Sequence, residues 1–258
     1  MNYFIDFVPE EEFLNKIKNV KANNIILNIY VKGLPAMNVN KNVYMPVNIA
    51  LNYIKKLKES GFKINIMLDT FCFGNKEFTK KGKEIFELLD KLFENEINYV
   101  TVTNNFFFNY IKRRYENVKI IISEYSEVNN VQKIYRYLDN IGADGVKLDL
   151  KLSLNLENMK YIKDNFDTNN IYIDTNKLYY NNDIYRDSLN NSLSHYIQEE
   201  KWDEAKESIS EYENREKELG VEKIEIDKDS IKALENLGFN NFWIYYNGER
   251  LEEYINKI

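Results

Sequence analysis

The sequence predicts a closed (β/α)8 barrel of the TIM type, in the α/β class. Three observations carry that expectation. Short β-type runs alternate with helical runs along almost the whole chain, the alternation repeats eight times, and no Pro/Gly-rich or Ser-rich linker interrupts it. Strands that alternate with helices form parallel sheets, and eight such units close a barrel. An open doubly wound sheet is the competing arrangement. It usually carries a glycine-rich phosphate turn, and neither GxGxxG nor a P-loop occurs here. A single domain over 1–258 is expected.

The first strand, NYFIDF, precedes PEEEFLNKIKNV, where Pro9 suits a first helical turn and Phe13, Ile17 and Val20 form one stripe. NIILNIYV leads through a long loop to PVNIALNYIKKLKESG, with Ile49, Tyr53, Ile54 and Leu57 as its apolar face and Gly61 as its stop. FKINIMLDT precedes TKKGKEIFELLDKLFEN, striped by Ile85, Leu88, Leu89 and Leu92. INYVTVTN precedes NFFFNYIKRRY, VKIIISEYS precedes NNVQKIYRYLDNIGA, and DGVKLDL precedes NLENMKYIKDNF. NIYIDTN opens a long polar connection, NKLYYNNDIYRDSLNNSLSHY (176–196), and FNNFWIYYNG with RLEEYINKI completes the eighth unit. One segment stands outside the alternation. Trp202, Ala205, Ile209, Tyr212, Glu216 and Leu219 recur at spacings of three and four, which predicts an extra amphipathic helix near 201–219.

A chain of 258 residues, 44% hydrophobic and 14% aromatic, can bury a large core. Its one cysteine, Cys72, excludes an internal disulfide and a four-cysteine metal site within a single chain. No run of about 18 uncharged apolar residues occurs, so no membrane span is expected. The acidic start MNYFIDFVPEEEF does not read as a secretion signal, and a cytoplasmic location is the default expectation. The net charge of −6 argues against a general nucleic-acid binder. Residues 199–229 hold 13 acids and 6 bases, a net −7, so the remainder stands near +1. IKRRYENVK (111–119) is the candidate basic run, and it sits at a helix end where the dipole favours cations.

Side chains alternate across a strand, so parity sorts each strand into two faces. One face reads Ile5, Leu27, Ile29, Ile64, Ile66, Leu68, Val100, Val102, Ile120, Ile122, Val146, Leu148, Ile171, Ile173 and Ile244, and is expected to meet the helices. The other reads Asp6, Asn28, Tyr30, Asn65, Asp69, Thr101, Thr103, Ser123, Lys147, Asp149, Tyr172, Asp174 and Tyr245, and is expected to face the lumen. Barrel interiors are usually filled with Val, Ile and Leu. A lumen holding Lys147 and several carboxylates is therefore either a satisfied ionic network or a polar binding cavity. Polar residues at the C-terminal ends of barrel strands favour the second. Lys147 flanked by carboxylates suits acid/base work or anion binding. The candidate catalytic residues are Lys147, Asp149, Asp174, Asp69 and His195. The candidate binding residues are Asn28, Tyr30, Asn65, Cys72, Thr103, Ser123, Tyr172, Asn176, Arg186 and Tyr245. Asp69, Asp149, Asp174 and His195 are also residue types of an oxygen-rich divalent site, but no HxH or HxxxH spacing supports a metal. No GxSxG elbow supports a Ser/His/Asp triad.

The order of several segments resembles the barrel domain of the collagenase-like peptidase family U-32, over nearly the whole chain. They are NIYVKGLP, FKINIMLDTFCFGNKEFTKKGKEIFELLDKL, INYVTVTNNFFFNYIKRRYENVKIIIS, VNNVQKIYRYLDNIGADGVKLDL, NSLSHY and VEKIEIDKDSIKALENLGFNNFWIYYNG. The resemblance implies a relation to oxygen-independent hydroxylation proteins that hold an iron–sulfur cluster on four cysteines, some working as paired subunits. Here Tyr179 and Asp183 stand about where cysteines are expected. Only Cys72, Arg186 and Ser194–His195 keep the pattern, and Tyr plus Asp cannot replace thiolates. No cofactor is expected. The resulting expectation is a cluster-free U-32-like barrel that binds or processes a small aromatic molecule or a peptide segment. The alternative is a non-catalytic partner subunit, docking through 199–229.

Overall fold

The computed structural model describes residues 1–18, 24–175, 179–180, 185–220, 223–224 and 226–244. The chain runs β1 (Asn2–Asp6), α1 (Glu11–Lys18), β2 (Ile25–Val31), β3 (Tyr44–Met45), α2 (Val47–Glu59), β4 (Lys63–Leu68), α3 (Lys80–Phe93), β5 (Tyr99–Val102) and α4 (Asn105–Arg114). It continues through β6 (Lys119–Ile122), α5 (Val131–Tyr135), β7 (Gly145–Lys147), α6 (Leu150–Leu154), α7 (Leu156–Asn165) and β8 (Ile171–Asp174). Then follow β9 (Tyr179–Tyr180), α8 (Arg186–Gln198), α9 (Trp202–Glu218), β10 (Lys223–Ile224), α10 (Lys228–Asn236) and β11 (Asn241–Ile244). Eight parallel strands close in the order β1-β2-β4-β5-β6-β7-β8-β11, because β1 pairs with both β2 and β11. The short β3 adds to β2, and β9 pairs antiparallel with β10 outside the barrel.

Rings that meet across the barrel identify the inward face. Phe4 on β1 packs edge-on against Tyr99 on β5, at 5.4 Å between centroids, although β2 and β4 lie between those strands. It also stacks on Trp243 at 4.8 Å and meets Tyr172 at 5.1 Å. These four aromatics fill the lower, N-terminal part of the lumen. The Asp6, Asn28, Asn65, Lys147 and Asp174 side chains share their parity and therefore face the lumen above them. The opposite face, from Ile5 round to Ile244, is buried against helix residues such as Phe13, Ile54, Leu89, Phe107 and Ile162.

Local chemistry ends the helices as expected. Asn104, Asn130, Asn155 and Asp227 each accept a backbone N–H in the first turn of α4, α5, α7 and α10. Gly61, at φ +87°, stops α2. Three details differ from the sequence expectation. In α2 Ala50, not Ile49, takes the buried position, and Ile49 is exposed. In the amphipathic helix α9, Glu216 is only 1% exposed whereas Leu219 is 58% exposed, because the helix ends at Glu218 and the stripe runs out with it. The polar connection 176–196 is not all loop: its second half is the helix α8, which buries Asn190, Leu193, Ser194 and Ile197 on one stripe. Two polar members disguise that stripe in the sequence. Among the described residues no helix is long and apolar enough to cross a membrane. Val20 lies outside the described residues.

Gly145 faces the lumen beside Tyr172. A Cβ there would stand 2.3 Å from Tyr172 Cε2 and 3.2 Å from the Asn170 carbonyl oxygen. The ring cannot step aside because Phe4 packs against it. Gly145→Ala is therefore expected to cost about 1–3 kcal/mol by overpacking, read as a lower urea midpoint with an unchanged slope.

Candidate functional site

The upper lumen is lined by buried polar side chains. Lys147, 1% exposed, projects from the end of β7 and places its Nζ 2.8 Å from Asp174 Oδ1 and 3.0 Å from Glu124 Oε2. The ammonium also lies 4.3 Å from the centroid of the Trp243 ring, so the aromatic floor supplies a cation–π face beneath it. Ser123 Oγ donates to Glu124 Oε2 at 3.0 Å and accepts the Tyr125 N–H, which turns the chain inward after β6 and brings Glu124 with it. The Trp243 indole N–H is buried and finds no acceptor among the described residues.

A second network lines the adjacent strands. Asp6 Oδ1 accepts from Asn28 Nδ2 and from the Tyr30 hydroxyl, each at 3.0 Å, and Asp6 Oδ2 accepts from Asn38 Nδ2 at 3.0 Å. Asn65 Nδ2 donates to Asn28 Oδ1 at 2.8 Å and to Thr101 Oγ1 at 3.0 Å, extending the chain of hydrogen bonds from β1 to β5. Burial pushes the Asp6 carboxyl up from 3.8 to about 6, against the pull of its three donors and of Lys147. Burial likewise pushes the Tyr30 hydroxyl well above its usual range, so it stays a neutral donor to Asp6.

The structure thus brings together Lys147, Asp174, Ser123, Asn28, Tyr30, Asn65 and Tyr172 in one lumen. Other predicted residues have their own partners. Asp149 caps α6 through the Lys151 N–H and pairs with Arg186 NH1 at 2.5 Å, so these two residues fasten the start of α8 to the rim. Asp69 Oδ1 accepts the Met37 N–H at 3.1 Å and holds the loop after β2. Cys72 is exposed, with its N–H on Ser194 Oγ and its carbonyl on Gln198 Nε2, so it fixes the far end of α8. Thr103 Oγ1 is buried without a hydrogen-bond partner among the described residues. His195 does not join the lumen: its side chain is 55% exposed and lies 3.5 Å from Glu199, one turn along its own helix. Asn176 and Tyr245 lie outside the described residues.

Sequence reasoning missed Glu124, Asn38 and Trp243. Strand parity places Trp243 inward, so the signal was present. Glu124 has the outward parity of β6 and reaches the lumen only through the turn at 124–126. Asn38 belongs to a loop, where periodicity carries no information.

Two outcomes follow. Lys147→Met leaves two carboxylates buried without their cation and is expected to cost about 3–5 kcal/mol at neutral pH. The combined variant with Glu124→Gln and Asp174→Asn recovers most of that loss, both read by urea unfolding. Asp6, held protonated more strongly in the folded than in the unfolded chain, stabilises the fold fully below about pH 4. That contribution, about 3 kcal/mol, is lost as pH rises through about 6. Asp6→Asn is expected to remove this part of the pH profile of the urea midpoint.

No protein-family model matches the chain, and no curated protein matches it. A solved structure does: that of the U32 peptidase Mk0906, with a TM-score of 0.67, 17% sequence identity, and coverage of 96% of this chain and 94% of that one. The iron–sulfur cluster implied by the sequence resemblance does not fit the residues present. The chain has a single cysteine, exposed on the rim, and the ammonium of Lys147 occupies the space between the two carboxylates nearest the lumen centre. Among the described residues no group of three or more His, Cys, Asp or Glu is placed to hold a metal ion. At this level of identity the likeness is one of architecture, and the chain has a U32 peptidase-like barrel fold.

Proposed function

We propose that this protein is a cluster-free U32-like barrel that binds a small aromatic molecule or a peptide segment at the polar mouth and processes it by proton transfer. The observation that carries this reading is the convergence of Lys147, Glu124 and Asp174 with Asp6, whose carboxyl is pushed up to about 6 by burial, at the C-terminal ends of the strands. Strand ends of such barrels carry the chemistry. A buried ionic network is a poor source of stability, so its presence there asks for another reason. In this arrangement Asp6 is the group able to give or take a proton. Lys147 binds a developing anion, and the Trp243 N–H, without an acceptor among the described residues, is a donor for a ligand acceptor. Among the described residues no nucleophile-and-base pair supports true proteolysis.

A second reading, a non-catalytic partner subunit, is favoured by one observation. The exposed residues of α9 include the acids Asp203, Glu204, Glu207, Glu211 and Glu218 against the bases Lys206, Arg215 and Lys217, a net negative surface suited to a basic protein partner. It requires no chemistry in the lumen.

The two readings separate by experiment. The chain has two tryptophans, and Trp243 alone reports on the lumen. A panel of neutral phenols and blocked aromatic dipeptides is expected to include ligands that shift the Trp243 indole N–H signal saturably. The triply neutral variant, Lys147→Met with Glu124→Gln and Asp174→Asn, is expected to fold and to lose that response. Binding at wild-type strength by the neutral variant, or no response from any probe, would reduce the cluster to a structural device.

A further inference from the structure

Beside the barrel mouth, between the loop after β2 and the junction of α8 with α9, lies an open cleft of about 300 Å3. Its walls hold three lysines, Lys32, Lys76 and Lys81, against one acid, Glu200, a net +2 in a chain of net charge −6. Two of these lysines have an exposed carboxylate partner at 3.4–3.9 Å. Lys32 stands 3.4 Å from Glu200 with both side chains well exposed, and Lys81 stands 3.9 Å from Glu84. Lys76, half-buried, reaches the neutral amide oxygen of Gln198, at 3.4 Å, and makes no hydrogen-bonded ion pair among the described residues, although it lies in the field of the Glu199 carboxylate. Gln198 cannot turn to serve it better, because its Nε2 donates to the Cys72 carbonyl at 2.8 Å and to Thr70 Oγ1 at 3.2 Å.

The same cleft is lined by two aromatic rings that are held in place. The rings of Tyr44 and Trp202 lie 5.1 Å apart. The Tyr44 hydroxyl donates to the Ala36 carbonyl at 3.0 Å and accepts the Asn38 N–H at 2.9 Å, while the Pro35 carbonyl accepts the Thr70 N–H at 3.1 Å. Cationic groups and a pre-formed aromatic surface thus line one cleft, the combination by which pockets fix the orientation of small ligands.

We infer that this cleft is a binding site, separate from the lumen, for a monocarboxylate carried on a flat aromatic body. Lys76 and Lys81 take the carboxylate, and Tyr44 and Trp202 take the ring. The volume is at the low end of the range of about 300–1,000 Å3 for ligand sites, so one small molecule fills it. Glu200 in the same wall opposes a second negative charge, and no arginine lines the cleft to grip a phosphate with two parallel hydrogen bonds. An aromatic monocarboxylate is therefore preferred to phosphate.

Trp202 lines this cleft and Trp243 the lumen, so their indole N–H signals separate the two sites. With 4-fluorobenzoate as the probe, a saturable shift of the Trp202 signal is expected while that of Trp243 stays in place. The affinity of so small a ligand is expected to be about millimolar. Lys76→Gln weakens it about tenfold, as loss of a charge-assisted hydrogen bond should, and 4-fluorobenzamide binds more weakly than the acid by a similar factor. Lys76 and Lys81 are half-buried and exposed, so Lys76→Gln and Lys81→Gln keep the fold, checked by circular dichroism. The proposal is overturned by any of four results: no saturable Trp202 shift, a shift of Trp243 instead, equal binding of the amide, or unchanged binding in both lysine variants. Equal competition by inorganic phosphate overturns it as well. None of these results depends on the lumen being active.

Discussion

A single ammonium group, cut off from water inside a ring of strands, governs the interior of this barrel. Removing a charge from water costs several kcal/mol unless the surroundings compensate. Around Lys147 the compensation comes from three directions: Asp174 on the next strand, Glu124 on the turn after β6, and the Trp243 face below. Each of those residues is itself fixed by something else. Glu124 depends on Ser123 to turn the chain inward, and Trp243 is stacked on Phe4. The register of five neighbouring strands is thereby tied to one electrostatic requirement, since a slip of one residue in any of them would move a partner to the outer face.

The second constraint is the way α8 is attached. Its first residue, Arg186, is bound to the cap of α6 through Asp149, and its last, Gln198, is bound to the turn after β4. Between these points Ser194 accepts the Cys72 N–H. A helix with modest intrinsic propensity, rich in Asn and Ser, is thus kept in place by polar contacts to two different loops rather than by a broad apolar face. That is why it is easily mistaken for a loop in the sequence; its first residue, Arg186, and Asp149, both site candidates from the sequence, form the ion pair that anchors it.

Much of the architecture was legible before any coordinates. Eight alternations and two-faced strands are redundant signals, and Lys147, Asp174, Asn28, Asn65 and Tyr30 could be placed in the lumen from parity alone. The losses came where the backbone leaves the strand. Glu124 violates parity because a tight turn reorients it, and Asn38 reaches Asp6 from a loop whose course no pattern encodes. His195 attracted attention as the sole histidine, yet being the only one of its kind says nothing of direction, and its ring points away from the barrel centre toward Glu199. The likeness to a U32 peptidase structure at 17% identity is one of backbone shape, and fold alone does not carry chemistry.

The aromatic floor has a consequence for traffic. Phe4, Tyr99, Tyr172 and Trp243 stopper the barrel at its lower end, so the interior is a blind vessel and not a tunnel. A guest of the kind proposed above would come and go by one doorway, so the departure of one would have to precede the arrival of the next.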